Sequence, residues 1–156
     1  PTSEQMAEMA ISTARVVRLF GFDPKVAFVS HSTFGQPLTN RTKHIRKAVD
    51  ILKEKKVDFE FDGDMQPDVA LNPEYKDLYP FSKIVGKANI LIMPGQHSAA
   101  ISYKMMKTLG DTKVIGPLLI GLGLPIEIAP LRSSTSELIN LASIAAYSAD
   151  VINYKK

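Results

Sequence analysis

Ser30, His31 and Ser32 set two hydroxyls and an imidazole side by side, the residue types of a nucleophile and its base. Neighbours at the end of a strand point in different directions, and no acid is placed to orient the imidazole of His31. The triplet therefore reads as a polar loop closing a strand, better suited to holding a ligand than to attacking one. Asp62, Asp64 and Asp68 suggest a metal site, but their spacing lacks the glycine and terminal glutamate of a calcium loop. Turn and helix-cap duty explains them. His31, His44 and His97 have no ligand-like spacing. Neither GxGxxG nor the P-loop pattern GxxxxGK followed by Ser or Thr occurs, so no dinucleotide or P-loop site is supported. The chain has no cysteine, which removes disulfides, thiol catalysis and zinc–thiolate sites together. No catalytic residue and no metal ligand is assigned.

The densest charge lies at Arg41, Lys43, His44, Arg46 and Lys47, followed by Lys53, Lys55 and Lys56. On a helix, Ile45, Val49 and Leu52 face one way and Lys43, Arg46, Lys47, Asp50 and Lys53 largely the other. That is a solvated face in its plainer reading and an anion patch for a phosphorylated ligand in its sharper one. The 19 Lys and Arg against 16 acids leave a net charge of +3. Nucleic-acid binders concentrate positive charge on one face with aromatics interleaved, so no nucleic-acid partner is expected here.

The elements that must position these groups alternate. Thr2 or Ser3, followed by Glu4 and Gln5, starts a helix carrying Met6, Met9, Ala10, Val17 and Phe20, and Gly21 closes it. Residues 25–29 have strand length and end in the loop Ser30–Gly35. Asn40 or Thr42 opens the basic helix, which runs to about Lys55. Residues 57–61 alternate as a strand, and Asp62–Asp64 is expected to turn the chain. From Pro67 to Pro80 a short helix and a loop are expected. Ala88–Met93 is a buried strand, and Gln96–Leu109 a helix whose Met105 and Met106 are expected to fill core space. Residues 114–120 and 125–128 read as two further strands, and Ser133 or Ser134 caps a last helix to about Asn153. This order predicts an α/β fold, a three-layer, mostly parallel sheet flanked by helices. In such sheets ligands sit beyond the carboxyl ends of the strands, which directs attention to the loops after Val29, Met93 and Ile128.

A length of 156 residues suits one compact core. The mean hydropathy is −0.01, and no apolar run approaches the roughly 20 residues that span a bilayer. With no basic-then-apolar leader, no membrane partner and a cytoplasmic location are expected. Pro1 in place of methionine leads to the expectation of a piece of a longer chain. The last helix supports this: Leu138, Ile139, Leu141, Ala142, Ile144, Ala145, Ala146, Val151 and Ile152 cover more than one stripe, and such a helix wants cover on most sides. The expected division is therefore 1–132 as the α/β domain with its leading helix. Residues 133–156 form a C-terminal helix packing on a further domain or on a partner subunit.

Six stretches carry a resemblance: PTSEQMAEMA, FGFDPKVAFVSHSTFG, DGDMQPDVAL, GKANILIMPG, ISYKMMKTLG and VIGPLLIGLGLPIEI. In order and spacing they resemble the C-terminal half of the phosphate acetyl- and butyryltransferases, over nearly the whole chain. That family is a two-domain α/β protein with its acyl-CoA cleft between the domains, and the resemblance implies that this chain holds the second domain. The enzymes carry a serine, an arginine and, further on, an aspartate that align here with Pro130, Leu131 and Glu137; Arg132 stands one position late. A family arginine associated with CoA falls at Thr108, beside Lys107. A proline without an N–H and a leucine without charge offer nothing to a developing oxyanion.

This loss, with SHSTFG as the loop after the first strand, is similar to the tail of the large hybrid NADP-dependent malic enzymes. The resemblance implies a regulatory and oligomerisation module responding to acetyl-CoA, at least a homodimer, on a parent that decarboxylates malate oxidatively to pyruvate. NADP and a divalent metal would belong to the missing N-terminal part. Ser32, Thr33, Arg132, Ser133 and Ser134 are the expected acyl-CoA contacts, because they lie at strand ends or at the start of the last helix. The alternative is a phosphate acyltransferase moving an acyl group between CoA and phosphate, with Arg132 in the lost arginine's place.

Overall fold

The computed structural model describes residues 1–110 and 113–154, the side chains of Lys76 and of residues 151–154 excepted. The chain divides into two compact units, Pro1–Tyr103 and Lys104–Lys156.

In the first unit, α1 (Ser3–Leu19) begins with a capping box. The Thr2 hydroxyl accepts from the Gln5 N–H at 3.1 Å, and the Gln5 side chain accepts from the Thr2 N–H at 2.8 Å. Its buried face is Ser3, Met6, Ala7, Ala10 and Ala14, whereas Met9 and Phe20 are exposed. Small alanines let the helix lie close to α2 (Asn40–Glu54), which buries Thr42, Ile45, Ala48, Val49 and Leu52 as its spacing predicts. Three strands form a parallel sheet, β1 (Lys25–Val29), β2 (Glu60–Met65) and β3 (Ile90–Ile92), in the order β2-β1-β3. A short helix α3 (Pro67–Leu71) and a 3-10 turn (Pro73–Asp77) lead from β2 toward β3.

Alternation along β1 divides the core in two. Val26 and Phe28 pack with α1, α2, Ile90 and Ile92, while Ala27 joins Met65, Ala70, Ile84 and Ala88 on the other face. A central strand covered on both faces must be apolar throughout, which is why it reads as an unbroken run.

Two sequence expectations change here. The strand expected at 57–61 lies at Glu60–Met65, so Asp62–Asp64 continues the sheet instead of turning. Gly63 is required by close approach: a Cβ there would come within 2.8 Å of the Phe28 side chain and carbonyl. The register skips Asp64 between Gly63 and Met65, making it a bulge residue. Its carboxylate is wholly buried with neither oxygen partnered, and the buried Ser32 hydroxyl is likewise unpartnered. Residues 114–120 and 125–128, expected as strands, carry no ladder. Apolar composition selects burial, but a strand also needs a neighbour to meet its N–H and C=O groups. Gly116, Pro117, Gly121, Gly123 and Pro125 interrupt the segment, and the Leu119 N–H donates to the Glu127 carboxylate at 3.3 Å.

Helix α4 (Gln96–Leu109) runs from the first unit into the second. None of its side chains is buried; Met105 and Met106, expected in the core, are 54% and 61% exposed. The second unit ends in α5 (Thr135–Tyr154), where Leu141 is buried while Leu138, Ile139 and Tyr147 are exposed. The side chains of Val151 and Ile152 lie outside the described residues. Among the described residues no helix is long and apolar enough to cross a membrane.

Candidate functional site

At the carboxyl ends of β1 and β3 the first unit opens into a cleft of about 560 Å³, the position where parallel α/β sheets hold ligands. The loop after β1 supplies Ser30 and His31. The turn after β3 supplies Pro94 and Gly95, and the start of α4 supplies His97 and Ser98. The first turns of α2 contribute Asn40, Arg41 and His44. All three histidines of the chain line this one cleft, although the first and last stand 66 positions apart in sequence.

Local chemistry fixes these groups. The hydroxyl of Thr39 accepts from the Thr42 N–H at 3.2 Å and that of Thr42 from the Thr39 N–H at 2.8 Å, so α2 begins abruptly and presents Asn40 and Arg41 at its mouth. His44 is clamped against the start of α1. Its Nε2 lies 3.1 Å from the Pro1 carbonyl and its Nδ1 3.1 Å from Ser3 Oγ, which donates to the His44 carbonyl at 2.8 Å. The loop after β1 is tied to β2 by Ser30 N–H to the Met65 carbonyl at 2.9 Å and Gln66 Nε2 to the His31 carbonyl at 3.1 Å.

The cleft is built for negative charge. Neither α2 nor α4 has an acid in its first turn, and both N-terminal ends open on the cleft with their partial positive charge. Arg41 makes no ion pair among the described residues, so its charge is available to a ligand. Among the described residues no three His, Asp or Glu side chains cluster to hold a metal ion. The arrangement can bind an anion or a phosphate.

The residues expected to touch acyl-CoA fall in two places. Ser32 and Thr33 lie in the loop after β1, both buried: Thr33 Oγ1 accepts from the Gln66 N–H at 3.2 Å, and the loop turns Ser30 and His31 toward the cleft. Arg132, Ser133 and Ser134 lie in the second unit, where they lead into α5. Ser133 donates to the Pro130 carbonyl through its N–H at 3.0 Å and its Oγ at 2.8 Å. Ser134 and Glu137 form a capping box, with the Ser134 N–H donating to Oε2 at 2.8 Å and the Glu137 N–H donating to Ser134 Oγ at 3.3 Å. The Ser134 N–H first, then Lys107 Nζ at 3.0 Å and the Ser134 hydroxyl donating to Oε2 at 3.0 Å, hold the pKa of the Glu137 carboxyl at about 2. Leu131 is wholly exposed, and the hollow bordered by Pro130, Ser133 and Glu137 has a volume of about 10 Å³, room for one water.

Sequence reasoning put Arg41 and His44 in a basic cluster with an anion-patch reading but did not place them at the strand ends, and it missed His97, which follows the proline–glycine stop of β3.

Residues 1–146 match the phosphate acetyl/butaryl transferase family, and the chain belongs to that family. It is 48% identical over 149 residues to an NADP-dependent malic enzyme of Rhizobium meliloti, a match covering 96% of this chain and 20% of that protein. It is 35% identical to a phosphate acetyltransferase of Bacillus subtilis, covering 94% of this chain and 46% of that one. Among solved structures, a phosphotransacetylase from Streptococcus pyogenes superposes with a TM-score of 0.89 at 35% identity, over 96% of this chain and 46% of the other. The EutD phosphotransacetylase from Staphylococcus aureus superposes with a TM-score of 0.86 at 31% identity, over 96% and 47%. The chain thus spans a fifth of the malic enzyme's length and less than half of the acetyltransferase's.

Proposed function

We propose that this chain is the phosphotransacetylase-like regulatory and oligomerisation domain of an NADP-dependent malic enzyme, responsive to acetyl-CoA and not itself catalytic. The observation that carries this reading is the state of the positions aligned with the family's reactive pair. Pro130 offers a carbonyl already engaged by Ser133, and Leu131 projects into solvent with no charge. Glu137, aligned with the family aspartate, is spent on capping α5 and on Lys107. Oxyanion stabilisation needs preorganised donors and positive charge, and these positions supply neither. Similarity to malic enzymes adds support through both its identity and its coverage.

In this reading the cleft beyond β1 and β3 receives the phosphates of acetyl-CoA, with Arg41, His31 and His97 as anion contacts. The loop holding Ser32 and Thr33 shapes its floor. In the second unit, taken by itself, Arg132, Ser133 and Ser134 are the candidate acyl-CoA contacts. Coupling arises if the effector favours one arrangement of the parent over another. Malate oxidation, NADP and the divalent metal belong to the remainder of the parent chain.

The test is malate oxidation with NADP by the full-length protein, with and without acetyl-CoA, beside an assay for acetyl phosphate formation. Malate oxidation that changes with acetyl-CoA, with no acyl transfer, is expected. Arg132→Gln with Ser133→Ala should blunt the response, as should Arg41→Gln. A second reading, a phosphate acyltransferase, is favoured by the similarity to the Bacillus subtilis enzyme. Acyl transfer without malate oxidation would establish it.

A further inference from the structure

Against the edge strand β2, sharing no lining residue with the first cleft, lies a second hollow of about 300 Å³. Arg46 and Lys53 of α2, Lys83 from the segment before β3, and the rings of Phe34 and Phe81 form its walls. We propose that this hollow binds a phosphorylated ligand carrying a flat ring, of the nucleoside-phosphate class. The proposal does not rest on the acyl-CoA reading.

Charge is the first argument. Three cations face two acids, Asp50 and Asp62, and both acids are already engaged. Asp50 accepts from Lys53 Nζ at 2.6 Å. The two oxygens of Asp62 accept the backbone N–H groups of Gly63 at 2.9 Å and Lys83 at 2.7 Å. Neither Arg46 nor the Lys83 ammonium has an acid partner among the described residues. A guanidinium free of acids presents the planar fork that takes two phosphate oxygens at once.

The second argument is the way the loop is built around Arg46. Phe34 and Gly35 both adopt positive φ, 50° and 85°. A side chain at position 35 would collide with the Arg46 guanidinium, so the charged group lies directly on the loop backbone. A bulky residue in the left-handed region is uncommon, and such strain concentrates where a loop must hold a functional geometry. Here it directs the Phe34 ring onto Phe81, at 4.8 Å and 69°, and Tyr79, at 5.5 Å. Phe81 nonetheless remains 63% exposed, leaving ring surface for a base to stack upon beside the cations. The volume suits a small ligand, such as a nucleoside mono- or diphosphate.

The same chemistry is present in a free nucleotide and in the adenosine-phosphate end of a coenzyme, and the test separates them. Hydrogen–deuterium exchange of the full-length protein is measured by mass spectrometry with and without ADP, because its peptides report this site apart from any other nucleotide site. Peptides covering 33–36 and 79–85 are expected to exchange more slowly with saturable dependence on ADP. At least a tenfold weakening is expected in Arg46→Gln/Lys83→Gln, with no change in Arg41→Gln. Should the double variant lose protection in α1 and β1, the single exposed change Lys83→Gln takes its place and is expected to weaken protection in the same direction. CoA that competes with ADP in these peptides identifies the coenzyme's adenosine end as occupant; CoA that does not identifies a free nucleotide. No slowing at millimolar ADP, or slowing that persists in the variants, overturns the proposal.

Discussion

Glu137 works as a structural cap at the start of α5, and its titration exposes that work. Its carboxyl is held at about 2 against an ordinary value of 4.5, by the Ser134 N–H first and then by Lys107. A carboxylate with a depressed value stabilises the fold fully above its unfolded value and ceases to do so as pH falls through the folded one. Protection of α5 is therefore expected to fall between pH 4.5 and about 2, and Glu137→Gln should flatten that fall. Hydrogen exchange of α5 peptides, corrected for the intrinsic pH dependence of exchange, reads this; equal slopes in parent and variant would count against it. Glu4 is also held at about 2, by its own backbone N–H and then Lys47, so only the difference between the two proteins isolates Glu137.

Among the elements, α2 does most to form the cleft, because its capping box sets where Asn40 and Arg41 begin. Thr39→Ala removes the oxygen that accepts the Thr42 N–H and is expected to cost about 1 kcal/mol, read as a lower denaturation midpoint. Thr39→Ser, which keeps the acceptor, should stay close to the parent. Anion binding in the cleft should weaken with the alanine variant, since Arg41 and His44 ride on the same first turns. The cap of α1, the buried stripe of α2, the bounds of α4 and the start of α5 were legible from spacing and residue type, whereas the cap of α2 falls on Thr39 and not on Asn40 or Thr42. The span of β2 was not, because a glycine between two aspartates has the composition of a turn; only the proximity of Phe28 makes Gly63 a strand residue.

At the scale of the whole molecule, the distribution of apolar surface sets an expectation about assembly. Ile101, Met105, Met106 and Leu109 on α4, Leu122, Leu124 and Ile128 in the following segment, and Leu138 and Ile139 on α5 are all exposed. Exposed apolar side chains in such number are what contact with protein covers. Sedimentation of the full-length protein is expected to show at least a dimer at micromolar concentration, and a monomer would refute the oligomerisation role.

Residue order alone carries the family, the α/β class and most helix bounds, because these depend on local hydrogen bonding, side-chain period and residue type. The two hollows needed the fold. His31, Arg41 and His97 meet only because β1 and β3 pair in parallel and deliver their loops to one edge, and Arg46 meets Lys83 only across α2 and the segment before β3. The missing strands at 114–120 and 125–128 have the same origin. A strand is completed by a neighbour's N–H and C=O groups, and no pattern within the segment can specify whether that neighbour is there.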